Sequence, residues 1–139
     1  MPEAYLASLQ PSEKTAKWSA SVTNGNVTVL VAVQTDAVVG FCSLVQSRDH
    51  DAAPRTGELA TLYVHPDHWR SGIGASLLNA ATDDARRLAF DTLTLWVLAG
   101  NSPARAFYEA LGFVVDGNSK TDKSFGFPIN EVRYRRPLD

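Results

Sequence analysis

Cysteine and methionine are nearly absent from this 139-residue chain, which has one of each, Cys42 and Met1. A single cysteine excludes an intramolecular disulfide framework. Cys42 lies in the apolar run Val39-Gly40-Phe41-Cys42 with no basic neighbour in sequence, so it reads as a buried structural thiol rather than a nucleophile. Long hydrophobic runs are missing too. No stretch approaches the ~20 residues of a transmembrane helix. The start, Met1-Pro2-Glu3-Ala4-Tyr5, has neither the basic nor the apolar region of a signal peptide. A cytoplasmic location without a membrane partner is the expectation. A positive surplus is also lacking: 13 Lys and Arg stand against 15 Asp and Glu, a net charge of −2, which argues against nucleic acid as a partner. The charge is uneven, −3 over residues 1–69 and +1 over residues 70–139, so an anionic ligand fits the second half better.

What is present is an ordinary globular composition, 45% hydrophobic and 20% charged, in a length that suits a single domain over residues 1–139. Glu3 to about Ser21 reads as helical, with Leu6, Leu9, Ala16 and Trp18 inward and a break at Pro11. Asn24-Gly25-Asn26 is a turn. Val27–Val33 and Val38–Gln46 are strands joined by Thr35-Asp36, an antiparallel hairpin. Arg48 to Gly57 is a loop. Glu58–Val64 is a third strand, whose alternation sets Glu58, Ala60, Leu62 and Val64 on one face and Leu59, Thr61, Tyr63 and His65 on the other. Gly72 to about Ala89 is a helix with Ile73, Leu77, Ala81 and Leu88 near one face. Thr92–Val97 is a strand with Leu93, Leu95 and Val97 on one side. Ser102-Pro103 opens a helix with a capping hydroxyl, Leu111-Gly112 closes it, and Phe113–Asp116 and Glu131–Arg136 are final strands around a Gly- and Ser-containing connection. The fold class is α/β, a mixed sheet with a strand–helix–strand unit at its centre.

Chemistry concentrates in two segments. In the first, Leu62 to Leu78, a strand ends in His65-Pro66-Asp67-His68, and Gly72 and Gly74 fall where the next helix begins. The first N–H groups of a helix lack intrahelical partners and sit at the positive end of its dipole, so they suit a pyrophosphate. The same glycines would also serve turn geometry alone. A Rossmann fingerprint would need Gly or Ala where Leu77 stands, and no Gly-Lys-Ser/Thr of a P-loop is present. In the second segment, Val97 to Phe113, Ala104, Phe107 and Leu111 share a helical face, while Tyr108 points about 100° away from Phe107, toward a cleft where its phenol can donate a proton. Asn101 follows a strand's C-terminal end, where ligands of open α/β sheets bind. Read alone, Phe107-Tyr108 is equally core plus rim.

Together, in this order, the two segments resemble the GNAT superfamily of acetyl-CoA-dependent N-acetyltransferases. The first resembles its pyrophosphate motif. The second resembles its Asn…Ala-x-x-Phe-Tyr-Glu-x-x-Gly-Phe motif. The resemblance is clear from about Gly57 to Phe113 and implies a GNAT-like fold. Members usually open with a strand and a helix before the region that aligns here with Glu3–Ser21, so the expectation is that those elements are absent or that the chain is a shortened version. It also implies acetyl-CoA as cosubstrate and a primary amine as acceptor. The backbone of Leu62, Tyr63 and Val64 would pair with pantetheine. The amides of Arg70, Ser71, Gly72, Ile73, Gly74 and Ala75 would hold the pyrophosphate, and Asn101 would touch the pantetheine arm. Tyr108 matches the general acid for the departing thiolate and Glu58 a common position of the base. The family's Gln or Arg three residues before the first glycine is Trp69 here.

Other readings stay open. Glu58 also fits a solvated strand residue, and Arg133, Arg135 and Arg136 a solvated strand face, an acceptor wall or a dimer edge. His65, Asp67 and His68 form a polar turn with too few converging ligands for a metal, and no nucleophile elbow is present. A CoA-binding module without catalysis is the alternative function, and an enzyme for longer acyl-CoA a third. Asp49, Asp51 and Glu58, in or beside one loop, would suit polycationic amines. A homodimer through an edge strand is compatible with the chain.

Overall fold

The computed structural model describes residues 18–24, 27–69, 71–124 and 126–138, with only the backbone path given for residues 18–24. Strands β1 (Trp18–Asn24), β2 (Val27–Gln34), β3 (Ala37–Gln46) and β4 (Thr56–Val64) lead through a 3-10 turn, Pro66–His68, to helix α1 (Ile73–Arg87). Then come β5 (Thr92–Leu98), helix α2 (Ser102–Ala110), β6 (Val114–Asp122) and β7 (Ile129–Pro137). The seven strands form one sheet in the order β1-β2-β3-β4-β5-β7-β6. Every pairing is antiparallel except β4 with β5, which α1 joins as a parallel crossover. The mixed α/β class, the β2–β3 hairpin and the central strand–helix–strand unit follow the sequence reading.

Four elements differ from it. The helix expected to run to Ser21 is replaced from Trp18 onward by β1, which pairs along its whole length with the β-branched β2, from Trp18↔Val33 to Asn24↔Val27. A ladder of that length overrides local helix propensity. Leu6, Leu9, Pro11 and Ala16 lie outside the described residues. Second, β4 does not alternate strictly. The register passes from Ser43↔Thr61 to Leu44↔Leu59, leaving Ala60 as a bulge. A bulge adds one residue and reverses the phase of the side chains. Glu58 therefore shares a face with Thr61 and Tyr63, while Leu59 joins Leu62 and Val64 toward the core. Third, Leu88 caps α1 and is exposed; the buried stripe is Ile73, Leu77, Leu78, Ala81 and Ala85. Fourth, β6 continues to Asp122. Three residues, 116–118, bulge out between Val115↔Tyr134 and Ser119↔Val132, and the ladder then resumes.

The core lies between the helices and one face of the sheet. Leu77 and Leu78 of α1 meet Leu30, Cys42, Leu44, Leu59, Leu93 and Leu95, all at or below 4% exposure. Cys42 is fully buried, and burial pushes its thiol up to about 12, which keeps it protonated and unreactive. On β5 the expected set Leu93, Leu95 and Val97 is the buried one. At the β2–β3 turn Thr35 and Asp36 both take left-handed angles, φ 50° and 63°, as the two-residue primed turn requires.

Gly40 sets how closely β3, β4 and α1 approach. A Cβ there would stand 2.8 Å from the Tyr63 carbonyl oxygen and 3.2 Å from Leu77 Cδ1. Overpacking of this kind costs about 1–3 kcal/mol. Gly40→Ala is therefore expected to lower the thermal unfolding midpoint. An unchanged midpoint would mean that β3 and β4 separate freely at this point.

Candidate active site

The parallel ladder between β4 and β5 is short. It comprises Thr56↔Thr92, Gly57↔Leu93 and Glu58↔Thr94, and beyond Glu58 the two strands pair no further. A gap therefore opens in the middle of the sheet. The His65 N–H donates to Val39 of β3 at 2.8 Å. Backbone groups alternate along a strand, so Tyr63 also faces β3, while the N–H and C=O of Leu62 and Val64 face the gap. The Tyr63 ring lies outside, 5.6 Å from that of Phe41. Trp69, where the sequence departs from the expected Gln or Arg, donates its indole N–H to the Val64 carbonyl at 2.8 Å.

At the end of the gap stands the N-terminus of α1. Gly72 caps it at φ 88°, with no atom within 4 Å of the place a Cβ would occupy. The first intrahelical bond runs from Ser76 N–H to the Gly72 carbonyl at 3.0 Å. The amides of Ile73, Gly74 and Ala75 thus remain at the positive end of the helix. The Ile73 side chain is buried in the core, so only its main chain is available. Ser71 Oγ donates to the His68 carbonyl and ties the turn together. Gly74 serves packing: a Cβ there would stand 3.2 Å from the Phe107 ring. Arg70 lies outside the described residues.

Helix α2 borders the gap from the core side. Its cap is Asn101 rather than Ser102. The Asn101 side-chain oxygen accepts from Ala104 N–H at 3.2 Å, and Ser102 becomes the first helical residue. An amide oxygen reaching the third residue on satisfies that donor where the hydroxyl would otherwise be needed. Tyr108 is half-buried, its ring 6.2 Å from Phe113 and 6.3 Å from Tyr134. Burial first, then the nearby Cys42, raises its pKa, so the phenol stays protonated at neutral pH. The buried Tyr134 donates to Glu109 at 2.6 Å and accepts from Arg105 Nε at 2.9 Å, and Arg105 Nη1 reaches the Ala99 carbonyl at 2.9 Å. This chain of bonds fixes α2 against β7 and the exit of β5. The sequence shows the i,i+4 spacing of Arg105 and Glu109 but not the tyrosine between them.

Glu58 lies at the apex of the gap, on the sheet face opposite Tyr108. Its neighbours on that face are Thr94 and Trp96, since Leu93 and Leu95 point into the core. Burial raises the Glu58 pKa, and the charge of Asp49 raises it further. Asp49 is held by the Trp96 indole N–H at 3.2–3.3 Å and by Arg133 at 3.1 Å. Arg133, expected on a solvated face, is only 3% exposed. It also donates to Asp51 twice at 2.8 Å and to Asp116 at 2.6 Å. The bulge at residues 116–118 brings Asp116 to this point. Asp49 and Asp51 are therefore engaged with the protein's own guanidinium. A cavity of about 420 Å³ opens beyond β5, lined by Leu98, Ala99, Gly100, Asn101, Pro128, Ile129 and Asn130. Among the described residues, no group of three or more His, Cys, Asp or Glu is placed to hold a metal ion.

The model of the acetyltransferase (GNAT) family matches residues 2–113. The chain belongs to that family. The L-amino acid N-acyltransferase MnaT of Escherichia coli K12 is 32% identical over 98 residues, 70% of this chain and 56% of that protein. The ribosomal protein bS18-alanine N-acetyltransferase of the same organism is 44% identical over 77 residues, 53% of this chain and 49% of that one. The chain thus spans about half the length of the curated relatives it matches. The structure of yncA from Salmonella typhimurium, with its cofactor acetyl-CoA, is 28% identical with a TM-score of 0.70, over 81% of this chain and 65% of that one. GNAT membership and the sheet described above agree. No helix among the described residues is long and apolar enough to cross a membrane.

The Arg133 cluster carries an acid signature. Its guanidinium holds the Asp51 carboxyl down to about 2 from 3.8, and Asp116 is lowered in spite of its burial. A depressed folded pKa stabilises above the ordinary value and loses that stability as pH falls toward the folded one. The unfolding midpoint should therefore fall between about pH 4 and pH 2. Arg133→Met should lower the midpoint at neutral pH and flatten the acid dependence. An acid profile unaltered in the variant would show that Arg133 is not the source of these shifts.

Proposed function

We propose that the protein transfers the acetyl group of acetyl-CoA to a primary amine by direct attack in a ternary complex. The observation that carries this reading is the parting of β4 from β5 directly after Glu58. It leaves the backbone of Leu62 and the N–H of Val64 without a strand partner on one edge, α1's free amides at one end, and Glu58 and Tyr108 on opposite faces. The acetyl-CoA complex of the yncA relative supports the same assignment of cosubstrate.

In this reading the pantetheine amides pair with Leu62 and, through its N–H, with Val64, since Trp69 occupies that residue's carbonyl. The amides of Ser71 to Ala75 receive the pyrophosphate, and Arg70, their neighbour in sequence, adds positive charge. Asn101 contributes its side-chain NH₂ and main chain. Glu58 takes a proton from the acceptor's ammonium, directly or through water. The neutral amine attacks the thioester carbonyl, whose oxygen is held by a β4 amide as charge develops. The carbon–sulfur bond breaks, Tyr108 protonates the thiolate, the attacking nitrogen gives up its second proton, which restores the phenol, and the products are the acetamide and CoA. Cys42, buried and protonated, takes no part. In this reading a lone thiol and the use of acetyl-CoA support a cytoplasmic setting for the reaction.

Two substitutions separate chemistry from binding. Tyr108→Phe should lower turnover by roughly 10²- to 10³-fold, within the range of a general acid, with acetyl-CoA affinity by calorimetry little changed. Gly72→Glu should instead abolish affinity, since bulk, a forced left-handed angle and negative charge all fall on the phosphate site. Wild-type turnover in the first variant removes Tyr108 from the mechanism. Unaltered affinity in the second rejects the cradle. A protein that binds acetyl-CoA but acetylates no amine in a broad panel is the non-catalytic module instead.

The raised pKa of Glu58 gives a pH test. The base acts when ionised, so kcat/KM should fall as pH drops through a value above the ordinary 4.5. Asp49→Asn removes the second cause of the shift and should move this limb to lower pH. A limb unmoved by Asp49→Asn and retained in Glu58→Gln would assign the base to another group.

A further inference from the structure

A cation already occupies the face that carries Glu58. Lys120 of β6 is the register partner of Glu131 on β7, which is in turn the partner of Leu98 on β5. Its ammonium stands 4.2 Å from the centre of the Trp96 ring and 3.9 Å from the Glu131 carboxylate. It is close enough to Glu58 to draw that carboxyl's pKa downward, against burial and Asp49. Arg133 also lies over the Trp96 ring, at 5.6 Å, but its charge is more than offset by Asp49, Asp51 and Asp116. Among the described residues Lys120 is held by a 3.9 Å carboxylate and an aromatic face, with the carboxylates of Glu58 and Asp122 in Coulomb reach, and its side chain is half exposed. An aromatic ring and a carboxylate beside the base are what a substrate ammonium needs. Leu98, exposed at the end of β5, leads from this patch into the cavity lined by Pro128 and Ile129.

We propose that Trp96 and Glu131, on the face that carries Glu58, form the docking subsite for the acceptor's ammonium, that Lys120 holds this subsite in the unliganded protein, and that the acceptor presents a primary ammonium at the end of an unbranched alkyl chain. The occupant is itself such a group. The proposal rests on the acetyltransferase reading and names its acceptor side. An α-amino acid is disfavoured there, because its carboxylate would meet Glu131 and Glu58 while the nearest buried guanidinium is already more than offset.

The test is a titration without acetyl-CoA, so that it reads the subsite independently of acetyl transfer. The probes are n-pentylamine, L-norleucine (the same chain with a carboxylate beside the amine) and 1-pentanol. The signal is the indole N–H resonance of Trp96, assigned among the three tryptophans with Trp96→Phe. In the wild type, n-pentylamine should shift this resonance saturably, norleucine should bind more weakly, and pentanol should leave it in place. Lys120→Met removes the competing ammonium and should tighten n-pentylamine binding roughly three- to tenfold. Glu131→Gln should weaken it. Amine affinity unchanged or reduced in Lys120→Met overturns the proposal, as does pentanol binding as well as the amine or norleucine binding as tightly. A protein that acetylates amines while Trp96 stays silent overturns the subsite and leaves the acetyltransferase reading standing. A Trp96 that responds in a protein unable to bind acetyl-CoA does the reverse.

Discussion

The fold turns on a hydrogen-bond ladder that stops early. A strand inside a sheet ordinarily satisfies its backbone groups on both sides. Here β4 is paired with β3 over most of its length and with β5 over three register pairs only. Leu62 and Val64 keep donors and acceptors that no strand claims, apart from the Val64 carbonyl taken by Trp69. Such an edge in the interior of a sheet is a template for another extended chain. The short crossover through α1 then brings the free end of a helix to the mouth of the same gap. Both consequences follow from geometry, before any side chain is considered.

The two faces of the sheet divide the work. One is sealed by α1 and α2 over a core of Leu, Cys42, Phe113 and Tyr134, and the phenol of Tyr108 stands at its border. The other carries a lattice of charge around Arg133, with loop residues Asp49 and Asp51 drawn across β5 onto β7. Its carboxylates outnumber its guanidiniums, three against Arg133 and Arg135, so the lattice is net negative. Its main electrostatic product is a carboxylate, Asp49, fixed near Glu58 and raising its pKa. Loop carboxylates that look available to a polycation in the sequence are, in the fold, the partners of one buried guanidinium.

Most of the architecture was legible from 27 to 113 because periodicity, turn residues and the two motifs agree there. The places that were not legible share a physical cause: pairing over long range. Nothing local in Trp18–Asn24 forbids a helix; only the ladder with β2 makes it a strand. The bulge at Ala60 leaves no composition signal, yet it moves Glu58 away from Leu62 and Val64 and onto the face opposite the core. Asn101 displaced Ser102 as the cap because both residue types compete for the same donor. The sequence hides the burial of Arg133 because its three carboxylates lie 17 to 84 residues away.

The two glycines of the pyrophosphate motif show how one pattern can hold two constraints. Gly72 has a left-handed φ of 88° and empty space where a side chain would go, so it is glycine for conformation and for approach. Gly74 lies within the helix, and its missing Cβ leaves room for the Phe107 ring of α2 and for Val64 Cγ2 of β4. One glycine faces open space beside the free amides of α1. The other joins the first motif to the second by close packing. The sequence separates these segments by some thirty residues. Contact at Gly74 places the helix end, the unpaired edge of β4 and the helix bearing Tyr108 around one gap. A change at Gly74 should therefore disturb all three at once, whereas a change at Gly72 stays local.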